Sequence, residues 1–284
     1  MGKILKKKSA DDLKIGLALG GGGAVGLAHI AILEVLDECG VRPHRIAGAS
    51  IGSIIGALYA SGKSGAEINQ LVRNVVQRDT TSWKGRLFDQ RLLKWIRFVD
   101  PELGEGGLVG GDAFIAFLKE NLAASTFEEL SIPLQVVTTD CWNKEAVIYD
   151  RGDLLKPIQA SMAIPGLFSP VRIGDRVLMD GALTNPVPYD ILSPDCDRVI
   201  AINVIGDATR RKEISFINAV HMGGRIMLHR QIEEKLARQP PDIYIDTGIM
   251  DIHVLQFHKF DEIYQQAQTA AERLRKELRE LCSK

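Results

Sequence analysis

The feature that most constrains the fold of this chain is an apolar strand that runs directly into four consecutive glycines. Ile15–Leu19 has no polar side chain, and Gly20–Gly23 follows it at once. Residues 24–39 have the apolar spacing of a helix, and a second short strand then ends at Ser50. This order is a βαβα unit and predicts an α/β protein. Its two loops should lie side by side at the carboxyl ends of neighbouring parallel strands, where open α/β sheets place their chemistry.

The composition excludes several classes of protein. The chain has 284 residues, of which 45% are hydrophobic, enough for one large α/β domain or two smaller ones. Its net charge of −1 gives no overall field to attract nucleic acid or anionic lipid. No run of about 18 apolar residues predicts a membrane span. The four cysteines are scattered without a Cys-x-x-Cys pair, which suits a reducing cytoplasm and argues against a zinc ribbon.

Further elements follow along the chain. The expected strands are residues 134–140, 146–149, 199–204 and 243–245, with a hairpin over 171–178. The last helix carries an apolar stripe for docking on the sheet, from Phe260 to Leu278. The spacing of basic and aromatic residues over 89–99 predicts a helix, and the glycines of 103–111 predict a loop after it. We interpret that pair as an ordinary surface helix and loop, with a lid or a lipid-facing surface as the alternative.

A serine flanked by glycines follows the second strand. Gly48, Ser50 and Gly52 match the pattern Gly-x-Ser-x-Gly, in which the glycines allow a sharp turn that exposes the hydroxyl beside backbone N–H groups. A strand precedes this segment and an apolar helix follows it, which is the context that the motif requires. Ser50 is therefore a candidate nucleophile.

The glycine loop offers consecutive backbone N–H groups that no side chain covers. Such a loop can bind an oxyanion or a phosphate. Gly21, Gly23 and Gly26 also match the dinucleotide pattern Gly-x-Gly-x-x-Gly, but a nucleotide site expects an acidic residue at the end of the second strand. Ser50 stands there instead, which favours a nucleophile. Residues 62–64, Gly-Lys-Ser, lack the first glycine and the preceding strand of a P-loop, so we exclude them as a phosphate site.

A serine hydroxyl needs a base to accept its proton. His29 lies inside the apolar first helix, where we expect a packed or hydrogen-bonded side chain. His253 or His258 would fit the chain order of an α/β-hydrolase triad, but that fold has more strands before its serine. Asp180 is the better partner, because it ends a predicted strand and abuts Gly181. No clustered pattern of histidines and acidic residues predicts a metal site.

Three blocks in this order resemble the patatin-like phospholipases, and most closely the bacterial members related to the catalytic domain of neuropathy target esterase. The matching blocks are Gly20-Gly-Gly-Gly-Ala-Val-Gly26, Gly48-Ala-Ser-Ile-Gly52 and Asp180-Gly-Ala182. Further agreement is found at 138–140, 160–165, 168–170 and 185–186. The likeness covers about residues 13–205.

The resemblance implies a three-layer α/β/α sandwich with a mostly parallel central sheet. It also implies a serine acyl hydrolase, a lipid esterase of the phospholipase A or lysophospholipase type. Ser50 and Asp180 would form its catalytic dyad, without a histidine. No metal ion or other cofactor is expected. The implied oxyanion hole consists of the backbone amides of Gly21, Gly22 and Gly23. The glycines that support these motifs are Gly26, Gly48, Gly52 and Gly181.

One position departs from the family pattern. The family usually has arginine or lysine where this chain has Val25, and that basic residue is thought to brace the glycine loop. The departure keeps a second hypothesis open, a weakly active or non-catalytic fatty-acyl-binding regulatory protein of the same fold.

We expect a single domain, because no internal repeat or low-complexity linker divides the chain. Residues 13–210 are expected to be the catalytic domain, with the C-terminal helices of 211–284 packed on it. Residues 1–12 are basic without the apolar segment of a secretory signal, so we expect a disordered tail, with a weak membrane-surface anchor as the alternative. The expected partner is a lipid or acyl-ester substrate. We expect a cytoplasmic protein, with peripheral contact with the inner surface of the membrane as an open alternative. The sequence leaves a homo-oligomer open and predicts no nucleic-acid partner.

Overall fold

The computed structural model describes residues 13–78, 112–209 and 216–282. Within them, eight strands form one sheet. The strands are β1 (Ile15–Leu19), β2 (Arg45–Ala49), β3 (Leu134–Asp140), β4 (Glu145–Tyr149), β5 (Val171–Ile173), β6 (Arg176–Asp180), β7 (Arg198–Asn203) and β8 (Ile243–Asp246). The α-helices are α1 (His29–Glu38), α2 (Ile51–Ala60), α3 (Gly65–Arg78), α4 (Asp112–Asn121), α5 (Leu155–Ser161), α6 (Phe216–Arg238) and α7 (Phe260–Cys282). The predicted segments 89–99 and 103–111 and the tail 1–12 lie outside the described residues.

The sheet is mostly parallel, as predicted. The strands hydrogen-bond in the sequence β5-β6-β3-β2-β1-β7-β8. β6 and β2 pair with successive parts of one edge of β3, and β4 pairs with its other edge. β1, β2, β3, β7 and β8 are parallel to one another. β4 and β6 run antiparallel to β3, so the antiparallel strands are grouped around that one strand.

The two faces of the sheet pack against two separate clusters of buried side chains. Along β1, Leu17 and Leu19 belong to the larger of two buried clusters, whereas Ala18 between them belongs to the smaller one. This alternation is the normal geometry of a strand. The larger cluster includes residues of α1, α2, α3, α4, α5 and α7, and the smaller one includes Tyr189 and Ile232 of α6. Helices therefore cover both faces, and the three-layer α/β/α prediction is confirmed.

The first predicted helix differs from the observed one at its start. Gly23–Ala28 forms two 3-10 turns, and α-helical geometry begins only at His29. The turns bring the backbone of Gly26 against α2, where an added Cβ would lie 2.1 Å from Cγ2 of Ile51. The end of the helix agrees with the predicted range 24–39, because Gly40 follows it with a φ of 67°, the left-handed conformation that ends helices.

The last helix, α7, packs mainly on α1 rather than on the sheet as predicted. Its apolar stripe lies in the same buried cluster as α1 and also contacts β8, the edge strand. Polar contacts join the two helices, since Tyr264 Oη donates to Glu34 and Arg275 pairs with Glu38 at 2.6 Å. The division of the chain near residue 210 stays a prediction. None of the helices in the described ranges combines the length and apolarity needed to cross a bilayer.

Candidate active site

Ser50 and Asp180 come from two strands that end against each other. β2 and β6 both pair with one edge of β3, and β4 pairs with the other edge. At the end of β2, Ala49 pairs with Val137. At the end of β6, Asp180 pairs with Thr138, the next residue of β3. Because β2 is parallel and β6 antiparallel to β3, their carboxyl ends meet. Ser50 Oγ donates a hydrogen bond of 2.6 Å to Asp180 Oδ2. The structure thus brings together the two side chains that the sequence analysis paired.

Ser50 has a backbone conformation that few residues other than glycine adopt. Its φ is 52° and its ψ is −126°, and α2 begins at the next residue. Three hydrogen bonds hold this turn: Ser50 N–H donates to Ser161 Oγ at 2.8 Å, and both the amide and the hydroxyl of Ser53 donate to the carbonyl oxygen of Ser50. Ser161 Oγ donates in turn to the Val137 carbonyl at 2.6 Å. The strained turn is therefore fixed from β3 and from α2.

The glycines around the two side chains are required by close backbone contacts. A Cβ added at Gly52 would lie 2.1 Å from the carbonyl oxygen of Leu19, and one at Gly48 would lie 2.6 Å from that of Gly52. At Gly181 it would lie 2.0 Å from the carbonyl oxygen of Val137. These three glycines let α2 lie close to β1 and β2, and let the chain after β6 lie close to β3.

Asp180 is buried and its carboxylate is only partly compensated. Burial raises the pKa of Asp180 from 3.8 to about 6, although the hydrogen bonds from Ser50 Oγ and the Ala182 amide act in the opposite direction. Ala182 N–H donates to Oδ1 at 2.8 Å, and Thr139 Oγ1 donates to the Asp180 carbonyl at 2.8 Å. These contacts leave Oδ2 as the acceptor of the hydrogen bond from Ser50 Oγ.

The glycine loop lies beside this pair. A Cβ added at Gly21 would lie 3.2 Å from Cβ of Ser50 and 2.8 Å from Cβ of Ala182. Any larger residue at Gly21 would therefore collide with Ser50 and with Ala182, whose amide binds Asp180. Loop, serine and aspartate form one site, at the carboxyl ends of β1, β2 and β6.

The amides of the glycine loop fall into two groups. Three of them donate to backbone carbonyls: Gly20 to Ile202 at 3.0 Å, Gly21 to Pro186 at 2.9 Å and Ala24 to Val254 at 2.8 Å. Gly22 and Gly23 lie between these anchors, and neither amide has an acceptor within the described part of the chain. Of the three amides assigned to an oxyanion hole, that of Gly21 is thus occupied by Pro186.

Val25, the departure from the family pattern, is a packed core side chain. It is buried, and a Cβ added at Gly22 or at Gly206 would lie 3.0 Å or 3.3 Å from its methyl groups. Val25 therefore packs against the glycine loop through aliphatic contacts, where the family pattern has a charged side chain.

Sequence reasoning missed three residues that hold the site: Ser161, Thr139 and Val254. Ser161 and Thr139 lie in blocks that matched the family, yet no local pattern says which backbone group a hydroxyl will bind. Neither His253 nor His258 hydrogen-bonds to Ser50 or Asp180 in the structure as described. Within residues 13–78, 112–209 and 216–282, no group of three or more His, Cys, Asp or Glu side chains is arranged to bind a metal ion.

Comparison with known proteins identifies the class. The family model for patatin-like phospholipase matches residues 17–193, so the chain belongs to the patatin-like phospholipase family. An uncharacterized NTE family protein of Mycobacterium tuberculosis is 30% identical over 203 residues, which are 71% of this chain and 52% of that protein. The chain thus spans about half the length of that relative.

Two eukaryotic relatives match over a smaller share of their own length. Patatin-like phospholipase domain-containing protein 6 of Homo sapiens is 33% identical over 193 residues, 67% of this chain and 13% of that protein. Lysophospholipase NTE1 of Candida glabrata is 27% identical over 276 residues, 88% of this chain and 15% of that protein. Family membership supports lipid hydrolysis as the class of reaction.

Proposed function

We propose that this protein is a serine acyl hydrolase that cleaves acyl esters of lipids with a Ser50–Asp180 dyad. The observation that carries the proposal is the hydrogen bond of 2.6 Å from Ser50 Oγ to the buried Asp180 Oδ2. A serine with this turn, next to a buried carboxylate and a loop with free amides, has the parts of a covalent acyl-transfer site. The chain's similarity to proteins named phospholipase and lysophospholipase directs the proposal to lipid esters.

The proposed chemistry has two balanced steps. Asp180 accepts the hydroxyl proton while Ser50 Oγ bonds to the ester carbonyl carbon, and the ester C–O bond then breaks as Asp180 returns the proton to the leaving alcohol. A water molecule attacks the acyl-Ser50 ester in the second step. Asp180 takes a proton from that water and passes it to Ser50 Oγ as the fatty acid leaves.

The developing negative charge needs donors, because a carboxylate is a far weaker base than an alkoxide. We assign this role to the amides of Gly22 and Gly23, each of which can be worth about 3 kcal/mol of transition-state stabilisation. The start of α2 directly after Ser50 adds the positive end of a helix dipole. The raised pKa of Asp180 also makes it a better proton acceptor than an exposed aspartate.

The substrate class sets the expected location of the protein. An enzyme that cleaves lipid esters meets its substrate at a membrane surface, and we propose a cytoplasmic protein with peripheral membrane contact. A second candidate function, a fatty-acyl-binding protein with little turnover, follows from Val25 in place of the usual basic residue. The two candidates differ in whether Ser50 reacts.

A fluorophosphonate probe tests the proposal directly. We expect stoichiometric labelling of the wild-type protein at Ser50, located by peptide mass spectrometry, together with hydrolysis of p-nitrophenyl butyrate and of a phospholipid and lysophospholipid panel. Ser50→Ala is the control and should lose both signals while keeping its circular dichroism spectrum. A folded wild-type protein that neither labels nor hydrolyses any ester would favour the binding protein.

The pH dependence of hydrolysis should report Asp180. The base must be ionised, and burial holds its pKa at about 6, so we expect kcat/KM to rise with a single acid limb centred near pH 6 and to level off above it. The measurement is kcat/KM for a neutral ester from pH 4 to 8. An acid limb centred near pH 4 would contradict the desolvated environment of this carboxylate.

A further inference from the structure

His29 lies directly beneath the glycine loop, at the first residue of α1. Its side chain is fully buried, and Nε2 is 2.9 Å from the carbonyl oxygen of Gly20. We propose that His29 is a positioning residue, which orients the glycine loop so that its free amides face the ester carbonyl. This inference rests on the proposed function, because it assigns a role within the same oxyanion hole.

The hydrogen bond fixes the tautomer of the imidazole. A carbonyl oxygen can only accept, so Nε2 carries the proton and Nδ1 has a lone pair. Nδ1 is buried and has no hydrogen-bond partner in the described residues. Burial lowers the pKa of His29 to about 4, so the ring is neutral at the pH values where Asp180 is ionised.

An unpartnered buried nitrogen is costly, which argues that the residue type is needed. Leaving a polar atom buried without a partner destabilises a fold, and an apolar side chain of similar volume would avoid that cost. All neighbours of His29 along α1 from Ile30 to Leu33 are buried and apolar. A leucine would suit this environment, but it could not donate a hydrogen bond to the carbonyl oxygen of Gly20. The hydrogen bond from Nε2 is therefore the feature that requires a donor such as histidine at this position.

The bond acts on one particular peptide group. The peptide plane between Gly20 and Gly21 is held at both ends, since His29 donates to its oxygen and its N–H donates to Pro186. The next two amides along the chain are those of Gly22 and Gly23. Without the bond at the oxygen, this plane can rotate about the flexible glycine torsions, and the following amides turn with it.

The arrangement also separates His29 from proton transfer. Its protonated nitrogen is bound to the Gly20 carbonyl, while Ser50 Oγ is bound to Asp180. His29 should therefore change the rate without changing which group acts as the base. A loss of loop geometry predicts a lower kcat, an almost unchanged KM and an acid limb still set by Asp180.

The test compares His29→Leu with His29→Gln. Leucine cannot donate, whereas a glutamine amide reaches about as far as Nε2 and can donate to Gly20. We expect His29→Leu to lower kcat for p-nitrophenyl butyrate about 30-fold, with KM within about 3-fold, and His29→Gln to recover most of that loss. The acid limb should stay in place in both variants. Leu36→Ala, buried on the same helix away from the loop, controls for lost stability and should retain its kcat.

The outcomes separate this inference from the proposed function. If wild-type protein hydrolyses esters through Ser50 but His29→Leu keeps its kcat, or loses no more than His29→Gln, the positioning role is wrong and the proposed function stands. If wild-type protein shows no Ser50-dependent hydrolysis, the proposed function itself fails. Should His29→Leu not fold, nitrogen-15 spectra of the imidazoles decide. A wild-type ring that is protonated at Nε2, does not titrate from pH 5 to 8 and disappears in His29→Gln supports the proposal, and the absence of any such ring among the six histidines overturns it.

Discussion

Asp180→Asn is expected to abolish hydrolysis while leaving the protein folded and at least as stable as wild type. An amide cannot take the proton from Ser50, so we expect kcat/KM to fall by about 10³-fold or more. The oxygen of the introduced carboxamide can still accept from Ser50 Oγ or from the Ala182 amide, so the geometry of the turn should survive. Activity and stability should therefore move in opposite directions.

The stability effect has a sign that follows from the pKa. Burial raises the pKa of Asp180 from 3.8 to about 6, so the folded state binds more protons than the unfolded state between these values. The free energy of unfolding contributed by this group falls as pH rises through that range and is lowest above pH 6. The difference between these two pKa values of Asp180 corresponds to about 3 kcal/mol. The Asp180→Asn substitution removes this penalty, so urea unfolding at pH 7 should show a gain of up to about 3 kcal/mol that vanishes below about pH 4.

Asp140 provides a matched control at the end of β3. It is also a buried carboxylate, but hydrogen bonds from the amides of Asn143 and Trp142 lower its pKa instead of raising it. Asp140→Asn should thus cost stability at pH 7 and keep most of the hydrolysis, the reverse of Asp180→Asn. Wild-type rates in Asp180→Asn would exclude Asp180 as the base.

The fold and the pairing of Ser50 with Asp180 could be predicted because they depend on local patterns. The all-apolar β1, the glycines after it and the Gly-x-Ser-x-Gly turn are each visible within a few residues, and the parallel register of β1 and β2 then places the two loops together. Asp180 was identified by its strand-end position and by the family pattern. The sequence did not reveal that β2 and β6 meet end to end along β3, because that depends on the pairing of strands 130 residues apart.

The supporting contacts could not be predicted, since they are bonds between distant backbone and side-chain groups. The hydrogen bond of Ser161 with Ser50 spans 111 residues, and no spacing rule covers it. The 3-10 start of the first helix depends on the closeness of Gly26 to Ile51, which only packing determines. Docking of α7 on α1 was missed for a related reason: an apolar stripe predicts burial but does not specify the partner surface.

Gly52→Ala is expected to have the second largest effect, because the serine turn has no room for a methyl group. The new Cβ would lie 2.1 Å from the carbonyl oxygen of Leu19 and 2.8 Å from that of Gly20. Both contacts are with backbone atoms of β1 and the glycine loop, so no side chain can rotate to relieve them. Either α2 moves away from β1 or the glycine loop shifts from Ser50. We expect a loss of about 3 kcal/mol or more in the free energy of unfolding and no fluorophosphonate labelling.

Gly224→Ala is the matched control, since the same methyl group is added where space is free. Gly224 lies inside α6, and beyond the backbone of its own helix an added Cβ there meets no atom of the described residues within 4 Å. Alanine is the better helix former, so this variant should be more stable by about 0.5–1 kcal/mol and should label like wild type. Thermal unfolding and labelling of both variants measure the difference. If Gly52→Ala matched Gly224→Ala in both, β1 and α2 would not approach as closely as the structure has them, and the turn at Ser50 would not depend on that approach.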